Sequence, residues 1–148
     1  MKTIKAYHAQ IPSDSRDLCS IVEDIILFIK EYIGVLPEDY LFEVKVILNE
    51  LIINAMKHGN KGDKNKLVNI ITGLSEMDHI YIIIEDQGEG CDYEYFLNRR
   101  CCLEDMSESC SLQETGRGIF IVKSLCDRLK FNKRGNKVIV LKKINRGD

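Results

Sequence analysis

The sequence predicts an α/β (α+β) two-layer sandwich, with a mixed, mostly antiparallel sheet and helices layered on one of its faces. Three observations carry that prediction. Apolar residues recur at helical spacing in some segments and as short strand-like runs in others. Most of the strand-like runs are joined by turns too short for a parallel crossover. The 148 residues suffice for one packed core and are too few for two, so 1–148 are expected to form a single domain.

Thr3–Ala9 reads as an opening strand. Ser13 or Asp14 can then cap a helix whose apolar residues Leu18, Ile21, Ile25, Phe28 and Ile29 share a face, and Gly34 ends it. Pro37 suits the first turn of a second helix, where Glu38 and Asp39 complement the positive end of the dipole. This helix is expected to reach about His58 and to stop at Gly59. Its residues Leu41, Val44, Leu48, Leu51 and Ala55 form one apolar stripe that should face the sheet.

A polar loop, Asn60–Lys66, leads into two strand-like runs, Leu67–Leu74 and His79–Glu85, linked by the short turn Ser75–Asp78. Residues 91–115 break the pattern, and so long a loop in a compact domain is usually functional or disordered. Gly116–Asp127 reads as a third helix with Ile119, Val122 and Leu125 or Cys126 inward. Arg128–Asn132 and Lys137–Ile144 read as a closing hairpin around Arg134–Asn136. The expected order is therefore β-α-α-β-β-loop-α-β-β.

Composition narrows the function. Apolar residues make up 45% and charged residues 30%, as in an ordinary globular chain. A net charge of -2 gives no reason to expect a nucleic-acid surface, and the basic stretches Lys61–Lys66 and Lys142–Arg146 read as a solvated loop and tail. The first residues lack the apolar segment of a signal peptide, and no run approaches the ~18 apolar residues of a membrane span. A cytoplasmic location without membrane contact is the expectation. The cysteines at 19, 91, 101, 102, 110 and 126 include no C-x-x-C pair and have no histidine nearby, so free thiols are expected.

Three polar motifs stand apart from this frame. Glu50, Asn54, Lys57 and His58 are spaced to line one helix face, distinct from the apolar stripe. An asparagine carbonyl can serve a hard cation such as magnesium, a lysine can meet phosphate, and a glutamate one turn earlier can accept a proton. Alone, such a face is an ordinary solvated surface. Asp86-Gln87-Gly88-Glu89-Gly90 follows an apolar strand directly, so the carboxylate can accept from an exocyclic amine while Gly88 and Gly90 let a base approach the backbone. Thr115-Gly116-Arg117-Gly118 stands where the third helix is expected to begin, and exposed N–H groups there suit phosphate. Two other nucleotide motifs fail. Gly118–Ser124 has Val122 where a Walker A loop needs glycine, and Tyr93 occupies the third glycine position of a dinucleotide fingerprint.

Taken in order, Glu50-Leu-Ile-Ile-Asn54-Ala-Met-Lys57-His58-Gly59, Asp86-Gln-Gly88-Glu-Gly90 and Gly116-Arg-Gly118-Ile119 resemble the N, G1 and G2 boxes of the GHKL (Bergerat-fold) ATP-binding domains, a superfamily that includes gyrase and the histidine kinases. The resemblance spans about 37–144. It implies ATP beneath a lid at about 91–115, with Asn54 as magnesium ligand and Asp86 at the adenine amine. It also implies Gly88 and Gly90 near the base, Gly116 and Gly118 with Thr115 and Arg117 at the phosphates, and Lys57 and His58 as further phosphate contacts. Among small stand-alone members the chain resembles the serine-protein kinases that act as anti-sigma factors. That resemblance implies Glu50 as the base that activates a serine on a protein antagonist, with a sigma factor or similar regulator as second partner, and it favours a homodimer. The lid departs from those kinases, being rich in cysteine and without their proline-rich sequence. Two alternatives follow from that departure: a non-catalytic ATP-binding module that acts by sequestration, or a redox role for the lid cysteines.

Overall fold

The computed structural model describes residues 3–90 and 110–147. The chain opens with β1 (Thr3–Pro12), and a 3-10 turn over Ser15–Asp17 follows, capped by the Asp14 carboxylate on the Arg16 N–H. It leads into α1 (Leu18–Ile33) and α2 (Glu38–Asn54), with a π-helical turn over Ala55–Gly59. Next come β2 (Leu67–Ser75) and β3 (His79–Glu85), then α3 (Cys110–Leu125), β4 (Arg128–Phe131) and β5 (Lys137–Lys143). The expected lid at 91–115 lies outside the described residues except for its end, which is helical, and Cys91, Cys101 and Cys102 lie outside them too.

The strands form one sheet in the order β1-β2-β3-β5-β4, and each described pairing is antiparallel. Register explains its inner face. Ile70 stands opposite Ile84, which stands opposite Val138, and Thr72, Ile82 and Val140 form the next row. A strand alternates sides at every residue, so these rows bury the same face. The helices cover it: α1 lies on β1 and β2, α2 on β3, and α3 between α2 and β4.

The stripe of α2 read from the sequence is buried throughout, whereas in that of α1 Leu18, Ile21 and Phe28 are half-buried. Ile25 and Ile29 of α1 and Val44, Ile47, Leu48 and Ile52 of α2 are fully buried, and Ile119 and Val122 seal α3. Gly34 closes α1 with φ 103°, a backbone conformation that glycine adopts without steric cost. No helix among the described residues is long and apolar enough to cross a membrane.

Two boundaries differ from expectation, and both bear on the site. The α-helical ladder of the second helix ends at Asn54, and the chain then widens into a π turn in which Asn60 N–H donates to Ala55 O at 2.8 Å. Gly59 still ends the helix, but the register of side chains shifts after Asn54. The third helix begins at Cys110, so Thr115–Gly118 lie in its interior rather than at its N-terminus. Low glycine propensity suggested a start at Gly116; packing of the following apolar residues on α2 and the sheet carries the helix through the weak stretch instead.

One buried cation holds the base of the helix layer. Lys142 of β5 is only 7% exposed. Its ammonium donates to Glu43 Oε1 on α2 at 2.9 Å and to Leu125 O at the end of α3 at 2.5 Å, and it stands 5.0 Å from the Tyr40 ring centroid. Replacing Lys142 with methionine leaves the Leu125 carbonyl unpaired and unties α3 from α2. Lys142→Met should therefore lower stability by about 1–3 kcal/mol, read as a lower urea midpoint at unchanged slope. Glu43→Gln should cost less, because the Glu43 side chain is 38% exposed and can return to water.

Candidate nucleotide site

The site begins with a conflict that α2 must resolve. The helix supplies the apolar stripe of the core and, beside it, a polar edge that cannot be given up to the core. That edge faces a cleft between the helix layer and the β3–β5 end of the sheet. Leu51, Asn54 and Ala55 line it from α2, Ile84 and Asp86 from the end of β3, and Ile119 from α3. Phe131 of β4 and Gly135–Val138, from the turn into β5, complete it. The walls are mostly apolar with a few convergent polar groups, a lining suited to a planar base.

Asp86 leaves β3 pointing into this cleft and is 7% exposed. Its backbone is held by the neighbouring hairpin: its N–H donates to Asn136 O at 2.9 Å, and Asn136 Nδ2 donates to its carbonyl at 3.0 Å. One carboxylate oxygen accepts the Gly88 N–H at 2.8 Å. Burial pushes the Asp86 carboxyl above its ordinary value, while the Gly88 N–H and the Arg134 charge pull it partway back. The net result is an acceptor held at a cost in a nearly dry cleft.

The two glycine-bearing segments meet backbone to backbone. A methyl group on Gly59 would collide with the Asp86 carboxylate, and one on Gly88 would collide with the Gly59 carbonyl. Gly90 has φ 96° and lies against the Arg134 carbonyl, so it too admits no side chain. Arg134 reaches back over the same loop, its guanidinium donating to Gly88 O at 2.6 Å and to Glu89 O at 3.2 Å.

Beside the cleft wall that Asn54 and Ile119 form, α3 presses on α2 at Gly118. A methyl group there would stand 2.5 Å from Glu50 Oε2 and 3.5 Å from Asn54 Nδ2. Gly118 is thus the position at which α3 can approach the polar edge of α2 without displacing it. Asn54 is 6% exposed, and its Nδ2 is buried without a hydrogen-bond partner. An asparagine left so costs stability, and the fold alone gives no return for it.

The residues singled out from the sequence therefore fall into groups. Glu50 and Asn54 meet Gly118, Asp86 and Gly88 meet Gly59, and of these Asn54 and Asp86 line the cleft. Lys57 is exposed and His58 half-buried on the π turn, so the four residues from Glu50 to His58 do not continue as one regular face. Thr115, Gly116 and Arg117 are described by their helical backbone alone, and the expectation that their N–H groups open a helix fails because the helix starts at Cys110. Asn60, Arg134 and Asn136 were not read as site residues. Each sits in a turn, where asparagine, arginine and glycine are common, and only the long-range hydrogen bonds reveal them.

The raised Asp86 value gives a signed expectation. A carboxyl whose folded value lies above its unfolded one destabilises the fold once ionised, and that cost disappears as pH falls through the folded value. Asp86→Asn should therefore melt at or above the wild-type temperature at pH 7. The gap should close as pH is lowered through the raised value. Thermal melts of both proteins across pH check this.

Comparison with known proteins identifies the family of the fold. A family model described as the histidine kinase-like ATPase domain matches residues 16–142. The serine-protein kinase RsbW of Oceanobacillus iheyensis is 32% identical over 101 residues, covering 68% of this chain and 63% of that protein. RsbW of Staphylococcus epidermidis is 33% identical over 103 residues, covering 68% of this chain and 64% of its own length. The matches thus span slightly less than two thirds of these relatives. The histidine kinase domain of the blue-light activated histidine kinase from Erythrobacter litoralis EL346 shares the fold, with a TM-score of 0.51 at 15% identity over 84% of this chain and 58% of that one. The chain belongs to the histidine kinase-like ATPase domain family.

Proposed function

We propose that this chain is an ATP-dependent serine-protein kinase of the anti-sigma type, which phosphorylates a protein antagonist and sequesters a sigma factor or similar regulator. The observation that carries the reading is the meeting of Glu50 and Asn54 against Gly118, with Asn54 and Asp86 lining one cleft. A nucleotide with its base amine on Asp86 would extend its phosphates toward that pair. The similarity to RsbW serine-protein kinases supports the reaction type.

In this reading Asp86 accepts from the adenine amine, and the bare backbones of Gly88 and Gly90 let the base and ribose lie close. Asn54 is the candidate magnesium ligand through its carbonyl Oδ1, the kind of oxygen this cation takes, on an amide that lies with Glu50 against Gly118. Bound there, magnesium would neutralise charge on the phosphates. Lys57, His58, Thr115, Gly116 and Arg117 are the candidates for phosphate contact, with Gly118 keeping the approach open. Glu50 removes the proton from the serine hydroxyl of the antagonist. As the serine Oγ–phosphorus bond forms, the bond from the γ-phosphorus to the bridging oxygen breaks and ADP leaves.

The test is transfer of label from γ-labelled ATP to an antagonist protein. Glu50→Gln should slow transfer by about 10²–10⁴-fold with little change in nucleotide affinity. Asn54→Ala should lower both. Transfer that survives Glu50→Gln unchanged would sink the assignment of the base, whereas ATP binding with no transfer to any antagonist would leave a sequestration module.

A further inference from the structure

One buried side chain near the cleft touches none of its walls and has no part in the reaction as written above. Asn60 closes the π turn and is 1% exposed. Its Nδ2 donates to Ser13 Oγ at 2.8 Å and to Leu67 O at 3.0 Å, and its Oδ1 accepts the Gln87 N–H at 2.8 Å. A single amide thereby ties the end of β1, the start of β2 and the loop after β3 to the end of the second helix. Gln87 repeats the tie from its own side, its Oε1 accepting the Leu67 N–H at 2.7 Å.

What these bonds hold is the spacing of two backbones. Gly59 directly precedes Asn60, and Asp86 and Gly88 flank Gln87. The Asn60–Gln87 bond therefore bridges the two segments at the place where Gly59 meets the Asp86 carboxylate and Gly88 meets the Gly59 carbonyl. Arg134 and Asn136 fasten the loop from the opposite side. If the Asn60 bond is removed, the loop stays attached to the hairpin but loses its distance from the helix, and Asp86 moves with it.

We propose that Asn60 is the positioning residue for base recognition: acting through the Gln87 main chain, it sets the depth of the Asp86 carboxylate and with it the preference for a purine that carries a 6-amine. This rests on the reading of Asp86 as the partner of that amine. It separates Asn60 from residues that merely stabilise the fold, because a hydrogen bond to a misplaced carboxylate weakens steeply with distance and angle whereas apolar contact with the ring does not.

The experiment compares ATP with purine riboside triphosphate, which lacks the 6-amine, by titration calorimetry on the full chain. Wild type should bind ATP more tightly than the amine-free analogue. Asn60→Ala should weaken ATP binding about tenfold or more and the analogue by less than about threefold, so that the preference collapses. Ser13→Ala removes one partner of the same amide without touching the Gln87 bond. It should lower the melting temperature and leave the preference intact. Asn60→Ser keeps a hydroxyl in the buried site but is one bond too short to reach the Gln87 N–H, and should lower the preference in the same direction even if Asn60→Ala does not fold.

Equal losses for both triphosphates in Asn60→Ala, or an undiminished preference in Asn60→Ser when Asn60→Ala cannot be purified, would overturn the positioning role. A wild-type protein that does not distinguish the two triphosphates would overturn the Asp86 reading itself, and this proposal with it. The two failures are thus told apart by the wild-type titration.

Discussion

Two backbones in this fold must approach so closely that neither can carry a side chain. The end of the second helix and the loop after β3 meet at Gly59 and Gly88, with the Asp86 carboxylate wedged beside them. That approach sets the floor of the cleft. It also fixes where the helix lies above the sheet, and therefore how far Asn54 and Glu50, one and two turns back, stand from the base pocket. A larger residue at either glycine would tilt the helix off β3, opening the core around Ile52 and Ile84 together with the site. Core and cleft share this one contact and cannot be varied separately.

The groups around the cleft are expensive for the fold. Asn54 buries an amide nitrogen without a partner, and burial works against ionised Asp86. Gly118 sits in a helix interior, where glycine costs about 1 kcal/mol relative to alanine. These deficits are carried by the fully buried Ile and Val rows of β2, β3 and β5 and by the stripes of α1 and α2. Local rules are broken around the cleft and kept elsewhere, as expected where binding competes with stability.

Much of this was legible in the sequence, for identifiable reasons. Strand alternation from Leu67 to Glu85 and the helical spacing of Leu41, Val44 and Leu48 report burial directly, and the folded chain buries those residues. The ordered motifs around Asn54, Asp86 and Gly118 marked the cleft because glycines and carboxylates at element ends are informative punctuation. The start of α3 was not legible. Helix propensity argues against Gly116 and Gly118, and the seat of Gly118 against α2 helps to override it. The π turn was hidden because one residue of register slip leaves no compositional trace. Asn60 and Arg134 were hidden because their partners, Gln87 and the Gly88 carbonyl, are remote in sequence and use the main chain, which carries no residue-type signal.

The strand order carries a consequence for how the protein is made. β5 follows β4 in the chain yet inserts between β4 and β3, so β3 keeps one ladder edge unpaired until β5 has been synthesised. Until then Ile82 and Ile84 lack the neighbours that finish their row, and the cleft lacks the wall from Gly135 to Val138. Such long-range strand pairing is slow and leaves an edge open to other chains in the meantime. A ligand that bridges Asp86 and this wall binds only the completed sheet. Its concentration in the cell therefore biases the last step of folding, drawing newly made chains past the open-edged stage by mass action.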